Sequence, residues 1–302
     1  MTVLVTGGAG YIGSHMVYAL TDRGEDVIVV DNLSTGFDWA VSPAAMLVVG
    51  DVGDAELLTR LFDTHDVDAV IHFAGSIVVP ESVENPLKYY ANNTSNTRTL
   101  IEAAVRAGVP HFIFSSTAAV YGIPEVSPAD EDAPTAPINP YGRSKLMTEW
   151  MLKDVAHAHD MTYVALRYFN VAGADPKGRT GQSTPEATHL IKVACQTALG
   201  LREKMFIFGD DYDTPDGTCI RDYIHVSDLI AAHVDALGYL RKGGDSAVLN
   251  CGYGHGYSVR EVIDTVKKVS GVDFPVEVAP RRAGDPPALV AAADRNRAAL
   301  NW

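Results

Sequence analysis

The chain has 302 residues, of which 47% are hydrophobic and 21% charged, a composition that indicates a folded globular protein and excludes a disordered or fibrous one. Its formal net charge of −14 repels phosphate groups, so we expect neither nucleic acid nor an anionic membrane among its partners. The cysteines Cys195, Cys219 and Cys251 fit no disulfide framework or zinc site. The apolar stretches fall far short of the ~20 residues that span a bilayer, and Met1 leads straight into a strand pattern without a signal peptide. Together these features predict a reduced, cytoplasmic protein.

Short, continuously apolar runs alternate with amphipathic stretches along the first half of the chain. In chain order we predict a strand at Thr2–Thr6, a helix at Tyr11–Arg23, strands at Asp26–Asp31 and Ala45–Val49, a helix at Ala55–Thr64, a strand at Asp68–Phe73, a helix at Pro86–Ala107, a strand at His111–Ser116, a helix at Pro140–His159 and a strand at Met161–Phe169. Such strands alternating with helices predict an α/β fold with a doubly wound parallel sheet covered on both faces.

The regular alternation ends after Asn170. Ala174–Thr184 is rich in glycine, proline and polar residues, which indicates a loop over a site, and later helices are predicted near Glu186–Leu199, Ser227–Leu240 and Ser258–Ser270. We therefore predict a sheet domain at residues 1–169 and a smaller substrate-binding lobe at residues 170–302. One or two strands from about residues 220–250 are expected to return to the main sheet.

A glycine-rich turn joins the first predicted strand to the first helix. Its residues Gly7, Gly8, Gly10 and Gly13 fit both G-x-G-x-x-G and G-x-x-G-x-x-G. Glycines allow the tight turn and the close approach of a pyrophosphate, and the helix starting at Tyr11 directs free N–H groups and its positive dipole end at the phosphates. The turn therefore predicts a dinucleotide site of the Rossmann type.

Asp31 ends the second predicted strand, 21 residues after Gly10. A carboxylate at this position hydrogen-bonds the adenosine ribose and repels the 2′-phosphate of NADP, so the predicted cofactor is NAD. The alternative for Asp31 is a surface carboxylate at a strand end. Asp51 and Val52 follow the third strand and could reach the adenine, and for Asp51 an N-cap of the next helix is an equally good interpretation.

Tyr141 and Lys145 lie four residues apart, which places them on one face of the predicted helix. Lowering the pKa of a phenol by ~3 units takes about 4 kcal/mol of phenolate stabilisation, which one ammonium ~4 Å away supplies in a partly buried site. The pair is predicted to act as general base and acid beside NAD. Thr117, at the end of the fifth strand, is the third candidate, supported by Ser115 and Ser116. The alternative is that these hydroxyls only satisfy backbone groups.

Motifs along nearly the whole chain resemble the extended short-chain dehydrogenase/reductase family and, within it, the nucleotide-sugar epimerases. The stretches that carry the resemblance are Val3–His15, Val30–Leu33, Val70–Gly75, Tyr89–Asn93, Phe112–Ser116, Val120–Gly122, Pro140–Lys145, Arg167–Ala174, Phe208–Tyr212, Arg221–Val226 and Arg281–Asp285. The resemblance implies that NAD stays bound while UDP-glucose and UDP-galactose interconvert. Tyr141 would take the proton of the sugar 4-hydroxyl, C4 would give its hydride to NAD, and the 4-keto sugar would turn over before the hydride returns.

The resemblance further implies two sets of binding residues and a homodimer formed by the helices Pro86–Ala107 and Pro140–His159. We expect no metal, because no group of His, Asp, Glu and Cys residues has the spacing of a metal site. The residues expected at NAD are Gly7, Gly10, Tyr11, Ile12, Gly13, Asp31, Asn32, Asp51, Val52, Phe73, Ala74, Gly75, Asn92, Ser115, Tyr141, Lys145 and Tyr168. The residues expected at the UDP-sugar are Thr117, Tyr141, Asn170, His189, Leu190, Phe206, Phe208, Arg221, Arg282 and Asp285. The two arginines suit a pyrophosphate because a guanidinium bonds phosphate oxygens in pairs, and their alternative is a surface ion pair.

Some positions depart from the family's commonest pattern. Thr117 stands where serine is usual, and Ile77 stands where some members carry lysine. Leu289 lies where members place residues that gate sugar size, so N-acetylated and pentose UDP-sugars stay open as substrates. The chain stops at Trp302 where relatives continue through a helical tail, and a truncated end and a naturally short end are both compatible with this.

Two rival functions remain. A nucleotide-sugar 4,6-dehydratase, or another UDP-sugar-modifying enzyme on the same fold, is disfavoured because dehydratases need acidic groups just after Thr117, where this chain has Ala118 and Ala119. A non-catalytic NAD-binding sensor is disfavoured because such proteins lose the tyrosine or the lysine, and this chain has both Tyr141 and Lys145.

Overall fold

A seven-stranded, fully parallel sheet forms the centre of the computed structural model, which describes residues 1–184, 187–282, 285–300 and 302. In spatial order its strands are β10 (Ala247–Cys251), β6 (Thr162–Tyr168), β5 (His111–Thr117), β4 (Val67–His72), β1 (Thr2–Thr6), β2 (Asp26–Asp31) and β3 (Met46–Val49). From β1 the chain adds β2 and β3 toward one edge of the sheet, and from β4 it adds β5, β6 and β10 toward the other edge. The order of the strands thus reverses between β1 and β4. In doubly wound folds ligands bind at such a switch point, beyond the carboxyl ends of the strands.

Helices cover both faces of this sheet. They are α1 (Tyr11–Thr21), α2 (Ala55–Thr64), α3 (Val79–Glu84), α4 (Pro86–Tyr89), α5 (Asn96–Arg106), α6 (Pro140–Ala158), α7 (Leu190–Ala198), α8 (Val226–Arg241), α9 (Val259–Ser270) and α10 (Asp294–Leu300). Side chains alternate along each strand, so Val3 and Val5 pack with α1 and α8 on one face, whereas Leu4 packs with α2, α5 and α6 on the other. Both faces are therefore buried, as the continuously apolar strands predicted.

The predicted elements of the first half of the chain are confirmed, with boundaries that differ by one or two residues. The predicted helix Pro86–Ala107 contains a π-helical turn at Tyr90–Ser95 between α4 and α5. Helix α3 was not predicted, because its sequence (VPESVE) carries an early proline and valines that stay exposed to solvent. Asn139 is the N-cap of α6: its side chain accepts a hydrogen bond from the Gly142 amide at 2.8 Å.

The second half, predicted as a smaller lobe, forms a four-stranded and a two-stranded sheet and contributes β10 to the central sheet. Its strands are β7 (Asn170–Ala172), β8 (Met205–Phe208), β9 (Ile220–His225), β11 (Gly256–Ser258), β12 (Val276–Ala279) and β13 (Ala288–Leu289). Strands β7, β11 and β13 each pair with β9, and β8 pairs with β12. The first residue of the predicted helix Glu186–Leu199 lies outside the described part of the chain. Within the described part, this helix is α7. Within the described residues, no helix has the length and apolar character needed to cross a membrane.

The predicted loop Ala174–Thr184 runs beside α1 and is tied to it. Lys177 and Arg179 both form ion pairs with Asp22, at 3.0 Å each, and Thr180 hydrogen-bonds the Ser14 hydroxyl at 2.7 Å. Helix α1 and the loop thus form one side of the crevice at the carboxyl ends of the strands.

Candidate active site

The glycine turn has the tight geometry that its sequence predicted. Gly7 has a φ of +70°, and a Cβ at this position would lie 2.6 Å from the backbone nitrogen of Ala74. A Cβ on Gly13 would lie 2.1 Å from the carbonyl oxygen of Gly7. Gly10 precedes α1, and among the described residues no side chain caps this helix and none in its first turn is acidic. The amides of Tyr11 and Ile12 are therefore available to an anion.

Asp31 stands beside this turn with its carboxylate held by the backbone. It accepts hydrogen bonds from the Ala9 amide at 2.9 Å and the Leu33 amide at 2.8 Å, and the residue is 8% exposed. Each carboxylate oxygen has a further lone pair for a ribose hydroxyl. Phosphate-binding amides and a fixed carboxylate at the ends of β1 and β2 together fit a dinucleotide.

The hydrogen bonds around Asp51 show that one of its two interpretations, the N-cap of the next helix, is wrong. Helix α2 is capped by Asp54, which accepts from two amides of the helix at 3.0 Å, so Asp51 is not its N-cap. Asp51 instead accepts from the side chains of Asn32 at 3.0 Å and Asn96 at 2.9 Å. It thereby joins the ends of β2 and β3 to α5, and Val52 beside it is buried.

The end of β4 is fixed by the π-helical turn Tyr90–Ser95. Asn93, a buried residue of this turn, accepts from the Ser76 amide at 2.7 Å and donates to the Ser76 carbonyl at 2.9 Å. Asn92 donates to the Ser76 hydroxyl at 2.9 Å. The predicted residues Phe73, Ala74 and Gly75 lie just before Ser76, and a Cβ on Gly75 would lie 3.6 Å from Lys145 Nζ. The turn therefore holds this segment beside α6.

One face of α6 presents Tyr141 and Lys145 to the end of β5. Lys145 Nζ donates to the Ser115 carbonyl at 3.0 Å, and the Tyr141 hydroxyl lies beside Thr117, whose side chain favours the ionised phenol. The Ser115 hydroxyl hydrogen-bonds the Tyr168 hydroxyl. The structure thus brings the predicted Tyr141, Lys145, Thr117 and Ser115 together with Tyr168, which the sequence analysis placed at NAD.

Burial shifts the pKa values of both α6 side chains. It raises the pKa of Tyr141, and the hydrogen bond with Thr117 opposes that shift. The expected lowering of this pKa is wrong for the protein by itself, because burial has the largest effect on the phenol and raises its pKa. Burial also lowers the pKa of Lys145 to about 8. A cationic ring bound beside the phenol would supply the missing stabilisation of the phenolate.

The buried ammonium gives a test through pH. The pKa of Lys145 falls from an ordinary 10.5 to about 8 on folding, so between these values the unfolded chain binds more protons and stability rises with pH. Nucleotide-free Lys145→Met is therefore expected to be more stable than wild type at pH 7, an advantage that shrinks above pH 8 by up to about 1.4 kcal/mol per pH unit. Urea unfolding of both proteins from pH 7 to 10 measures this difference, and a difference independent of pH would contradict it.

A cavity of 450 Å³ opens on the lobe side of the crevice. Three predicted substrate residues line it, namely Asn170, His189 and Leu190, together with backbone of the loop after β7. The His189 ring hydrogen-bonds Gln182 at 2.8 Å, and burial lowers its pKa. Gln182 and His189 thus contribute polar groups to this cavity, and α7 contributes Leu190, Ile191, Lys192 and Cys195.

The other predicted substrate residues form a second group. Arg282 stacks on Phe208 with 3.9 Å between the guanidinium carbon and the ring centroid, and Phe206 lies 6.4 Å from Phe208. Arg221 forms a 3.6 Å ion pair with Asp285. Both arginines are thus held at the lobe, Arg282 by an aromatic face and Arg221 by a carboxylate.

His72 and His225 form hydrogen bonds with neighbouring elements of the fold. His72 hydrogen-bonds Thr6 at 2.6 Å and Thr97 at 2.8 Å, and the His225 ring accepts from the Ser227 amide at 3.1 Å. In the described part of the chain, no three His, Cys, Asp or Glu side chains are grouped so that they could hold a metal ion.

This combination of glycine turn, strand-end acid and Tyr141–Lys145 pair agrees with the comparison of the whole sequence with known families. Residues 3–252 match the NAD dependent epimerase/dehydratase family. The chain belongs to this family. The resemblance inferred from the motifs is therefore confirmed, and this epimerase/dehydratase chain has the doubly wound fold that it implied.

Relatives of this epimerase/dehydratase chain match it over its full length. The UDP-glucose 4-epimerase of Azospirillum brasilense is 65% identical over 300 residues, which are 99% of this chain and 86% of that protein. The structure of the UDP-Glc/GlcNAc 4-epimerase from Campylobacter jejuni is 53% identical with a TM-score of 0.87, and covers 100% of this chain and 93% of that one. The UDP-glucose 4-epimerase of Bifidobacterium longum, solved with NAD⁺ and UDP, is 41% identical with a TM-score of 0.95 and the same coverage.

Sequence reasoning missed several polar residues around the site of this epimerase/dehydratase chain. Asn93 was passed over in favour of Asn92, although Asn93 is the one that ties Ser76 to α6 through the Ser144 hydroxyl at 3.1 Å. Glu149 and Arg167 were also missed. The signal for Glu149 was its position, four residues after Lys145 and eight after Tyr141 on the same helix face.

Proposed function

We propose that this chain interconverts UDP-glucose and UDP-galactose while NAD stays bound. The observation that carries the proposal is the arrangement at the end of β5, where Tyr141 meets Thr117 and Lys145 meets Ser115 next to the glycine turn. The full-length similarity to UDP-glucose 4-epimerases, at up to 65% identity, supports this choice of reaction. Because the hydride that leaves the sugar returns to it, the reaction has no net redox change.

The side chains at this point have distinct roles in the proposal. Bound NAD⁺ supplies the acceptor and later the donor of the C4 hydride. The Tyr141 oxygen takes the proton of the sugar 4-hydroxyl, and returns it after the sugar has turned over. The Thr117 hydroxyl holds the Tyr141 oxygen and the sugar oxygen in line. The buried Lys145 keeps positive charge close to both, while its Nζ is anchored on the Ser115 carbonyl.

We further propose that NAD occupies the crevice along the ends of β1, β2 and β4. The glycine turn and the amides of Tyr11 and Ile12 receive the pyrophosphate, and Asp31 receives the ribose. Asn32, Asp51 and Val52 lie toward the adenine, whereas Phe73, Ala74, Gly75, Asn92, Ser115 and Tyr168 lie toward the nicotinamide. The carboxylate of Asp31 disfavours NADP for the reason given above.

The UDP group is assigned to the lobe. The cavity lined by Asn170, His189 and Leu190 lies beside α7 and accommodates the nucleoside. Arg221 and Arg282 supply the local positive charge that an acidic chain needs to bind a pyrophosphate, and Asp285 and the two aromatic side chains of β8 orient them. Anchoring the diphosphate leaves the hexose free to turn over.

A two-stage assay tests the function. Purified protein, incubated with UDP-galactose and no added NAD, should form UDP-glucose, which is measured after the reaction is stopped by adding UDP-glucose dehydrogenase together with NAD⁺. The same protein should release NAD on denaturation. Parallel assays with UDP-N-acetylglucosamine test the second candidate substrate, which the 53% identical UDP-Glc/GlcNAc 4-epimerase favours. A protein that takes up no dinucleotide, or that turns over no UDP-sugar, refutes the proposal. Formation of a 4-keto-6-deoxy product would identify the dehydratase alternative instead.

A homodimer is proposed from the surface of α3, α4 and α6. Val83, Leu87 and Trp150 on these helices are 63%, 76% and 54% exposed, although large apolar side chains favour burial. Helices of a second copy packed against them would form a four-helix bundle. Light scattering should give a mass near twice 32.4 kDa, and Leu87→Glu with Trp150→Glu should reduce it to that of one chain. A monomeric wild type would refute the dimer.

The domain division and the cellular location are also proposals. Residues 1–169 form the NAD domain and residues 170–302 the UDP-sugar lobe, with the stretch that contains α8 and β10 returning to the NAD domain. The pairing of β10 with β6 supports this return. The free cysteines, of which Cys219 and Cys251 are buried, support a reducing cytoplasm.

A further inference from the structure

A buried ion pair lies directly behind the site, on the same face of α6. Glu149 follows Lys145 by four residues and Tyr141 by eight. Its carboxylate accepts from Arg167 Nη2 at 2.6 Å and Nε at 3.0 Å, and the two side chains are 4% and 6% exposed. This bidentate geometry leaves neither group free to rotate.

The same carboxylate links α6 to β5. Glu149 Oε1 also accepts from the Ser116 hydroxyl, which is fully buried. Ser116 stands between Ser115 and Thr117, the residues that Lys145 and Tyr141 contact. Helix α6 is therefore joined to three consecutive residues of β5, and three such contacts fix both its position along the strand and its rotation.

Arg167 extends the link to the other side of Thr117. Its Nη1 donates to the Tyr121 hydroxyl at 3.1 Å, and the guanidinium lies 5.0 Å from the centre of that ring. Tyr121 ends the short helical turn that Thr117 caps, and its hydroxyl donates to the Asn250 side chain of β10 at 2.6 Å. The end of β5 is thus held from α6, from β6 and from β10.

Stability alone does not account for this pair. Burying two charges costs desolvation that their attraction roughly cancels, so well-packed hydrophobic residues at such positions are often as stable or more stable. A pair of apolar side chains, however, would not fix the direction of α6. We propose that Glu149 and Arg167 are positioning residues, which set the placement of Tyr141 against Thr117 and of Lys145 against Ser115. The inference rests on the proposed function.

The double variant Glu149→Met/Arg167→Met tests this role, because it removes both charges together and keeps the volume. It should fold with a thermal midpoint close to that of wild type. Its kcat should fall about tenfold to a hundredfold, the range expected when reacting groups shift by up to ~1 Å, with KM for the UDP-sugar within about twofold.

The control is Glu25→Met/Arg241→Met near the amino ends of the strands, where Arg241 pairs with Glu25 at 2.6 Å and also with Asp68 at 2.9 Å. It should keep wild-type kcat. The variant Ser116→Ala leaves the ion pair intact and removes only its link to β5, so kcat should fall severalfold at unchanged KM even if the double variant fails to fold.

Wild-type kcat in the folded double variant, or in Ser116→Ala, overturns the positioning role. A rise in KM at unchanged kcat also overturns it, because that result assigns the pair to substrate binding. Wild type assayed alongside separates the two proposals: an inactive wild type refutes both, whereas an active wild type beside an equally active double variant refutes the positioning role alone.

Discussion

Tyr141→Phe is expected to lower kcat by about 10²- to 10⁴-fold, the contribution of a well-placed general acid and base, while NAD stays bound. Phenylalanine keeps the ring that packs edge-to-face on Tyr89, with 6.5 Å between the ring centres. The Thr117 oxygen still accepts a hydrogen bond from the Ala119 amide at 3.1 Å, so the helical turn after β5 keeps its cap. Initial rates with UDP-galactose give kcat, and chromatography of the acid-released nucleotide gives the NAD content.

The control for this variant is Tyr163→Phe. Tyr163 is also a buried tyrosine, but it lies near the start of β6. This position is at the amino ends of the strands, whereas the site is at their carboxyl ends. The same loss of a phenolic oxygen there should leave kcat within about twofold of wild type. If Tyr141→Phe turned over UDP-galactose at the wild-type rate, the proposed proton transfer would be wrong, whatever its NAD content.

Gly13→Ala is expected to remove bound NAD and with it all activity. The added Cβ would lie 2.1 Å from the Gly7 carbonyl oxygen and 2.9 Å from Gly8 Cα, and both are backbone atoms of the pyrophosphate turn. The turn can make room only by leaving the geometry that presents its amides. The cost in folding free energy is on the order of 1–3 kcal/mol, as for other overpacked positions. NAD content per chain and the thermal midpoint measure the two effects.

Gly238→Ala provides the matched control, because it makes the same change inside a helix. Gly238 lies in α8, and an added Cβ there meets no atom within 4 Å. Alanine should keep the NAD content unchanged and stabilise the helix by up to about 1 kcal/mol. If Gly13→Ala retained a full complement of NAD, the assignment of this turn to the pyrophosphate would be wrong.

Most of the sheet could be predicted because its signals are local. In a run such as Asp26–Asp31, four consecutive apolar β-branched residues place apolar side chains on both faces of a strand. This pattern predicts a strand that is buried on both faces. The glycine turn, the Asn139 cap and the Tyr141–Lys145 spacing are equally local. Each depends on backbone geometry within a few residues, which the order of residue types determines directly.

The remaining features depend on contacts between distant residues. Asp51 was assigned as a possible N-cap because it shortly precedes the predicted helix Ala55–Thr64. Its partner Asn96 lies far along the chain. Nothing in the local pattern of Arg167 identifies Glu149 as its partner. The pKa of Tyr141 was also misjudged, because the cost of burying the phenolate depends on how tightly the whole crevice closes around it. The spacing of residues along a helix predicts which face a side chain occupies, but not how far that face is excluded from water.

The return of β10 to the sheet has a consequence for how the chain can be divided. Strand β10 covers the outer edge of β6, whose Val164, Ala165 and Leu166 are fully buried, yet it comes after the strands β7, β8 and β9 of the lobe. A fragment ending at residue 169 would expose a row of unpaired amides and carbonyls on a flat, apolar edge. Such an edge recruits strands from other chains, so the fragment would self-associate rather than stand as an autonomous unit.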